Sequence, residues 1–117
     1  MDRIGLFTLF VIIVSSCNQT NQKTVNPDDL KLSGFDIAEL QTTANFRGIS
    51  VVDSFIVWVS GSGGTYVRTV DGGNSWNVDS VPGHTDYDFR DIEAFDANTA
   101  VMMSAGRPAI IMKTVGQ

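Results

Sequence analysis

The stretch Thr69-Val70-Asp71-Gly72-Gly73-Asn74-Ser75-Trp76 decides how this chain is read. Asp71 can accept hydrogen bonds from backbone N–H groups two residues on, while Gly72 and Gly73 supply the positive φ of a tight hairpin. Trp76 follows at once. Its ring is large enough to cover the hairpin and fill space beside a neighbouring sheet. Such residues punctuate a fold; turn Asp residues are far commoner than catalytic ones. Working outward, the surrounding text starts again downstream. Phe46-Arg47 followed by Ile49 and Asp53 returns as Phe89-Arg90 followed by Ile92 and Asp96, and Arg68-Thr69-Val70 returns as Lys113-Thr114-Val115. A period of about 40–50 residues dense in short strands is that of propeller blades, because one four-stranded sheet cannot cover both its faces without neighbours.

The expected fold class is therefore all-β: a partial β-propeller over 35–117, with one full blade at about 46–80 and a truncated second at about 89–117. A first strand is expected around Phe35, Ile37 and Leu40. Four more follow at Ile49 to Val52, Phe55 to Val59, Thr65 to Thr69 and Ser75 to Val78, all short and rich in β-branched and aromatic residues. Each gap carries a turn signal: Asp53-Ser54, Gly61-Ser62-Gly63-Gly64, Asp71-Gly72-Gly73. A polar loop from Val81 to Asp88 crosses to the second unit, where Ile92 to Phe95, Thr99 to Ser104 and Ala109 to Lys113 give three strands and no fourth. The chain reads as a fragment on that ground, with a sheet edge and an apolar face left uncovered.

Composition narrows the classes of function. The 117 residues carry eight Lys and Arg against thirteen Asp and Glu, a net charge of −5. The basic residues are scattered, without the stripe that a phosphate backbone demands, so no nucleic-acid partner is expected. The amino end is a targeting segment. Arg3 precedes an apolar run from Ile4 to Val14, long enough for a signal-peptide core and too short to span a bilayer. Val14-Ser15-Ser16-Cys17 resembles the bacterial lipoprotein box, and Cys17 is the one Cys in the sequence, without a disulfide partner. Residues 1–16 are accordingly expected to be a lipoprotein signal peptide, Cys17 the lipidation site and 17–34 a flexible tether. The protein would then sit at the bacterial cell envelope, anchored to a membrane through acyl chains on Cys17 and facing the periplasm or exterior.

Two resemblances follow from these residues. The pattern formed by Thr69, Asp71, Gly73, Ser75 and Trp76 resembles the Asp-box of the bacterial neuraminidase repeat, which occurs in sialidases, other glycosidases and many non-enzymatic propellers; it implies a fold and not a chemistry. The wider text resembles the photosystem II stability and assembly factor family and its relatives in non-photosynthetic bacteria. That text is Phe46-Arg47-Gly48-Ile49-Ser50, Trp58 to Thr65, Arg68 to Trp76 and Asp88 to Ala100. The resemblance implies a non-catalytic propeller that serves as a protein-interaction or assembly module. It departs from the family after Lys113-Thr114, where a second Asp-Gly-Gly turn is replaced by Val115-Gly116-Gln117.

The candidate binding residues are Arg47 and Arg90, which hold the same place in the two units, at the entry to the strand nearest a propeller's central channel. Two guanidinium groups there would bind a carboxylate or an acidic peptide tail bidentately. The same repeat also fits an Arg that ties its strand to its own loop, since Asp53, Asp88 and Asp91 are close in sequence. The alternative function, a fragment of an exported sialidase-like glycoside hydrolase, would need three Arg on the substrate carboxylate, a Tyr–Glu nucleophile pair and a separate acid. Only Tyr66, Tyr87, Glu39 and Glu93 are on offer, and no pairing is evident. His84 stands alone in its loop, so no metal is expected. Gly61-Ser62-Gly63-Gly64 fails as a nucleotide loop because it leads into a strand. No cofactor and no small-molecule substrate are indicated. Met102, Met103, Met112 and Trp58 are expected in the blade packing.

Overall fold

The fold is seen in a computed structural model that describes residues 33–116. The expected signal segment 1–16, Cys17 and most of the expected 17–34 tether lie outside the described residues. All strands fall within the unit Asp36–Gln117: β1 (Phe46–Val51), β2 (Val57–Gly61), β3 (Thr65–Thr69), β4 (Asn77–Ser80), β5 (Asp88–Ala94), β6 (Ala100–Ala105) and β7 (Ile111–Lys113). They form two antiparallel meanders, a four-stranded sheet in the order β1-β2-β3-β4 and a three-stranded sheet in the order β5-β6-β7. The protein is all-β, as the turn spacing requires, and no helix occurs among the described residues.

One expected strand is missing. Residues 35–40 form no strand, and Phe35 and Ile37 are exposed. Their apolar alternation is real, but they enter no ladder with any described strand, and without those backbone hydrogen bonds alternation alone makes no strand.

The turns that separate the strands are built alike in both sheets. Between β1 and β2, Asp53 Oδ1 accepts from Phe55 N at 2.7 Å and Ile56 N at 2.8 Å. Between β5 and β6, Asp96 Oδ1 accepts from Asn98 N and Thr99 N, both at 2.7 Å. These Asx turns explain why Asp recurs at this place in each unit: a short carboxylate satisfies the two amides that the hairpin leaves free.

Alternation sorts the side chains onto two faces. Ser50, Trp58, Arg68 and Asn77 are aligned across β1 to β4 and share one face, while Ile49, Val59, Val67 and Val78 share the other. The first face meets the second sheet. There Trp58, Phe89, Ile92, Ala94, Ala100 and Met102 form the buried core, with Tyr66, Val81, Tyr87 and Met112 packed around it. Trp58 retains 2% of its surface and Phe89 none. Burying these side chains contributes about 1.5–3 kcal/mol each. Met103 departs from the expected packing: it is aligned with Asp91 and Ile111 on the far face of the second sheet and is largely exposed. Ile49 and Val51 on the first sheet and Ile111 on the second are likewise exposed. Two sheets stacked face to face, each with an apolar outer face, is the arrangement of consecutive propeller blades.

Polar contacts fix how the two sheets meet. Ser50 Oγ accepts from Ala94 N at 2.9 Å, and Trp58 Nε1 donates to Asp96 O at 3.0 Å. Arg68 lies over the Trp58 ring, 5.1 Å from its centre, and its Nη1 donates to Ala97 O and, at 3.3 Å, to Asn98 Oδ1. A residue of one sheet thus grips the Asx turn of the next.

Candidate functional site

The hairpin from β3 to β4 shows what the Asp71-Gly72-Gly73 turn does. Gly72 and Gly73 adopt φ of 72° and 88°, which side-chain-bearing residues rarely take. Asp71 accepts from Ser75 N at 2.9 Å through Oδ1 and from Ser75 Oγ at 2.5 Å through Oδ2. Its reach is therefore four residues, where the sequence suggested two, because the paired glycines widen the loop. Thr69 Oγ1 donates to Asp71 Oδ1 at 2.8 Å and accepts from Gly73 N at 2.9 Å. Trp76 lies against Gly73 and donates from Nε1 to its carbonyl at 3.1 Å. The Ser75 and Thr69 hydroxyls and the Ser75 amide hold the Asp71 carboxyl down to about 2, so it stays ionised in its turn. Every acceptor position of Asp71 that these contacts use is turned inward on the loop, which suits closure of a hairpin and not catalysis.

Arg47 and Arg90 have a more informative placement. In β1 the register slips between Phe46 and Gly48, and in β5 it slips between Phe89 and Asp91, so each Arg is the extra residue of a β-bulge. A bulge takes a residue out of the alternation and re-aims its side chain. The two bulges stand next to one another because β1 and β5 are adjacent strands of the two sheets. Both guanidinium groups converge on Asp88, the first residue of β5. Arg47 Nε lies 3.5 Å from Asp88 Oδ1, and Arg90 Nη2 lies 3.3 Å from Asp88 Oδ2. The Arg side chains remain 41% and 56% exposed.

Two further residues hold this arrangement. Sequence proximity offers Asp88 as a tie for one Arg; the structure has it bridging both. Gly48 sits where the inner strands touch. A Cβ at Gly48 would lie 2.8 Å from Ser60 Oγ, 3.0 Å from Asp91 Cα and 3.2 Å from Ile92 N. Only glycine lets β1 come this close to β5, and that approach is what brings Arg47 within reach of Asp88. The signal was legible in part: Phe-Arg-Gly in the first unit stands against Phe-Arg-Asp in the second.

Among the described residues the remaining candidates make no side-chain hydrogen bond or ion pair with Arg47, Asp88 or Arg90. Tyr66 donates its hydroxyl to Asp79 Oδ2 at 3.3 Å, and burial, with the nearby Asp79 charge, pushes its pKa up. Tyr87 stacks on Phe89, with ring centres 6.5 Å apart. His84 is half-buried beside Tyr87, its Nδ1 2.9 Å from Pro82 O. Among the described residues there is no group of three His, Cys, Asp or Glu able to hold a metal ion.

Fold and site together define a section of a β-propeller with Asp-box punctuation and a paired-Arg bulge on its inner strands. Among solved structures the chain is similar to "YCF48 bound to D1 peptide", with a TM-score of 0.55 and 30% sequence identity over 68% of this chain. The fold is thus a YCF48-like β-propeller fold. The match takes in 26% of that protein, so the present chain spans about a quarter of its length. No protein-family model matches the chain, and no curated protein does.

Proposed function

We propose that this propeller section is a non-catalytic protein-interaction module of the photosystem II assembly-factor type, which holds a partner's peptide by a carboxylate on Arg47 and Arg90. The observation that carries this reading is the repeated bulge: two units place an Arg out of strand alternation, on adjacent strands, and both Arg side chains stay partly exposed beside one carboxylate. A pair of planar guanidinium groups gathered around one carboxylate suits bidentate recognition of carboxylates. The similarity to a protein whose structure is described as bound to the D1 peptide supports a peptide as the ligand class. In the same reading the module belongs to the photosystem II assembly-factor family and is tethered at the bacterial cell envelope by lipid on Cys17, which holds the binding face near membrane-bound partners.

The glycosidase alternative finds no support among the described residues. A tyrosine nucleophile needs its pKa lowered, and that of Tyr66 is pushed up. The test of the proposed reading is calorimetric titration of the full chain, held in mild detergent, with an acidic peptide carrying a free C-terminal carboxylate and with its amidated form. Binding that weakens on amidation and disappears in the Arg47→Ala, Arg90→Ala double variant is expected. Equal binding by the double variant would overturn it.

A further inference from the structure

Asp88 is itself a carboxylate sitting where a ligand's carboxylate would bind. Its two oxygens engage one edge of each guanidinium, at 3.5 Å on Arg47 and 3.3 Å on Arg90. Asp88 Oδ1 is buried and meets Arg47 as an ion pair at 3.5 Å without a well-formed hydrogen bond, so this internal contact is looser than a bidentate ligand carboxylate could make. The neighbouring Asp91 makes no ion pair with either Arg, and its Oδ1 accepts from the amide of Ile92 at 3.0 Å.

We infer that Asp88 is an internal competitor of the ligand, an affinity- and specificity-setting residue that restricts the Arg47–Arg90 pair to ligands offering more than one carboxylate. The inference rests on the peptide-binding reading above. Asp88 already takes up half of the positive charge that the two guanidinium groups would offer a ligand, and it contacts both of them. A singly charged ligand therefore gains little over Asp88 and must also give up its own hydration. A ligand with two adjacent carboxylates, such as an acidic residue next to a free C-terminus, can engage the guanidinium groups of both Arg residues and replace the Asp88 contacts.

The experiment compares the full chain with its Asp88→Asn variant, which keeps the shape and one acceptor oxygen but removes the charge. Two probes are used: an acidic peptide with a free C-terminus, followed by calorimetry, and acetate, followed by the Nε–H signals of Arg47 and Arg90 in NMR spectra. Asp88→Asn is expected to bind the peptide roughly three- to tenfold more tightly. It is also expected to respond to acetate at concentrations where the wild type does not, with a steeper salt dependence. Unchanged or weaker binding of both probes by a folded Asp88→Asn variant overturns the inference, because Asp88 would then only position the Arg pair. Asp88→Ala serves as the second variant if the Asn form melts early; tighter binding supports the inference and weaker binding sinks it. Should neither form bind the peptide while acetate still shifts the Arg signals more strongly in the variant, the competition stands and the peptide reading falls.

Discussion

A Cβ added to Gly48 would come within 3.0 Å of Asp91 Cα, a backbone atom of the neighbouring sheet. The contact between these two residues sets the spacing of the inner strands and, one residue away on each side, the separation of Arg47 and Arg90. Gly48→Ala should push β1 from β5 and destabilise the protein by about 1–3 kcal/mol, as overpacking does. Chemical denaturation measures the loss. Because the Arg residues move apart, peptide affinity should fall in the variant even at temperatures where it stays folded.

Arg68 is the strut between the sheets. Its guanidinium lies over Trp58 and donates to Ala97 O and Asn98 Oδ1 in the next Asx turn. Arg68→Ala should cost about 1–3 kcal/mol from the lost stacking and charge-assisted hydrogen bonds together. Arg68→Lys keeps the charge but not the planar stack, and should fall in between. Trp58 fluorescence reports the loosening directly.

Asp71 gives the fold an acid limit. Its pKa drops from 3.8 to about 2 because the turn's hydroxyls and the Ser75 amide favour the ionised form. A carboxyl with a lowered folded-state pKa stabilises above its unfolded value, and the contribution is lost as pH falls through the folded value. Asp96 is shifted the same way, chiefly by the Asn98 amide. Thermal melts should therefore decline as pH is taken from 3.8 to about 2, and Asp71→Asn should start lower and decline less across that window. Parallel curves for the two proteins would show that the turn does not hold the proton off.

Each Arg of the pair should matter by itself. Arg47→Ala or Arg90→Ala is expected to weaken binding of the acidic peptide by about 1–2 kcal/mol, roughly five- to thirtyfold. Raising the salt concentration should erode wild-type binding more than that of either variant, since an exposed pair acts through screened charges. Equal salt slopes would place the peptide elsewhere.

Cys17→Ala tests the anchor. With lipidation the chain should sediment with membranes and partition into the detergent phase on phase separation, whereas the variant should appear in the soluble fraction. Identical partitioning of the two would remove the lipoprotein reading.

Much of the architecture was legible in the residues because it is local. The Asx turns at Asp53 and Asp96, the glycine pair at Gly72-Gly73 and the alternation through Thr65 to Thr69 each act within a few residues, and a strand of five fits its own pattern. Phe35 to Leu40 misled for the opposite reason. Alternation is necessary for a strand but not sufficient: a strand also needs a ladder of backbone partners, those residues enter none with the described strands, and no local pattern announces this.

The site was half legible. Repetition singled out Arg47 and Arg90, but a bulge is a property of two strands in register, seen only when Phe46 aligns with Gly61 and Gly48 with Ser60. The sequence determined the blades, their turns and the pair of Arg residues, through short-range hydrogen bonding and alternation. The tertiary structure alone decided that both Arg residues meet on Asp88 and that Gly48 is the point of closest approach, because each depends on two sheets packing face to face across residues far apart in the chain.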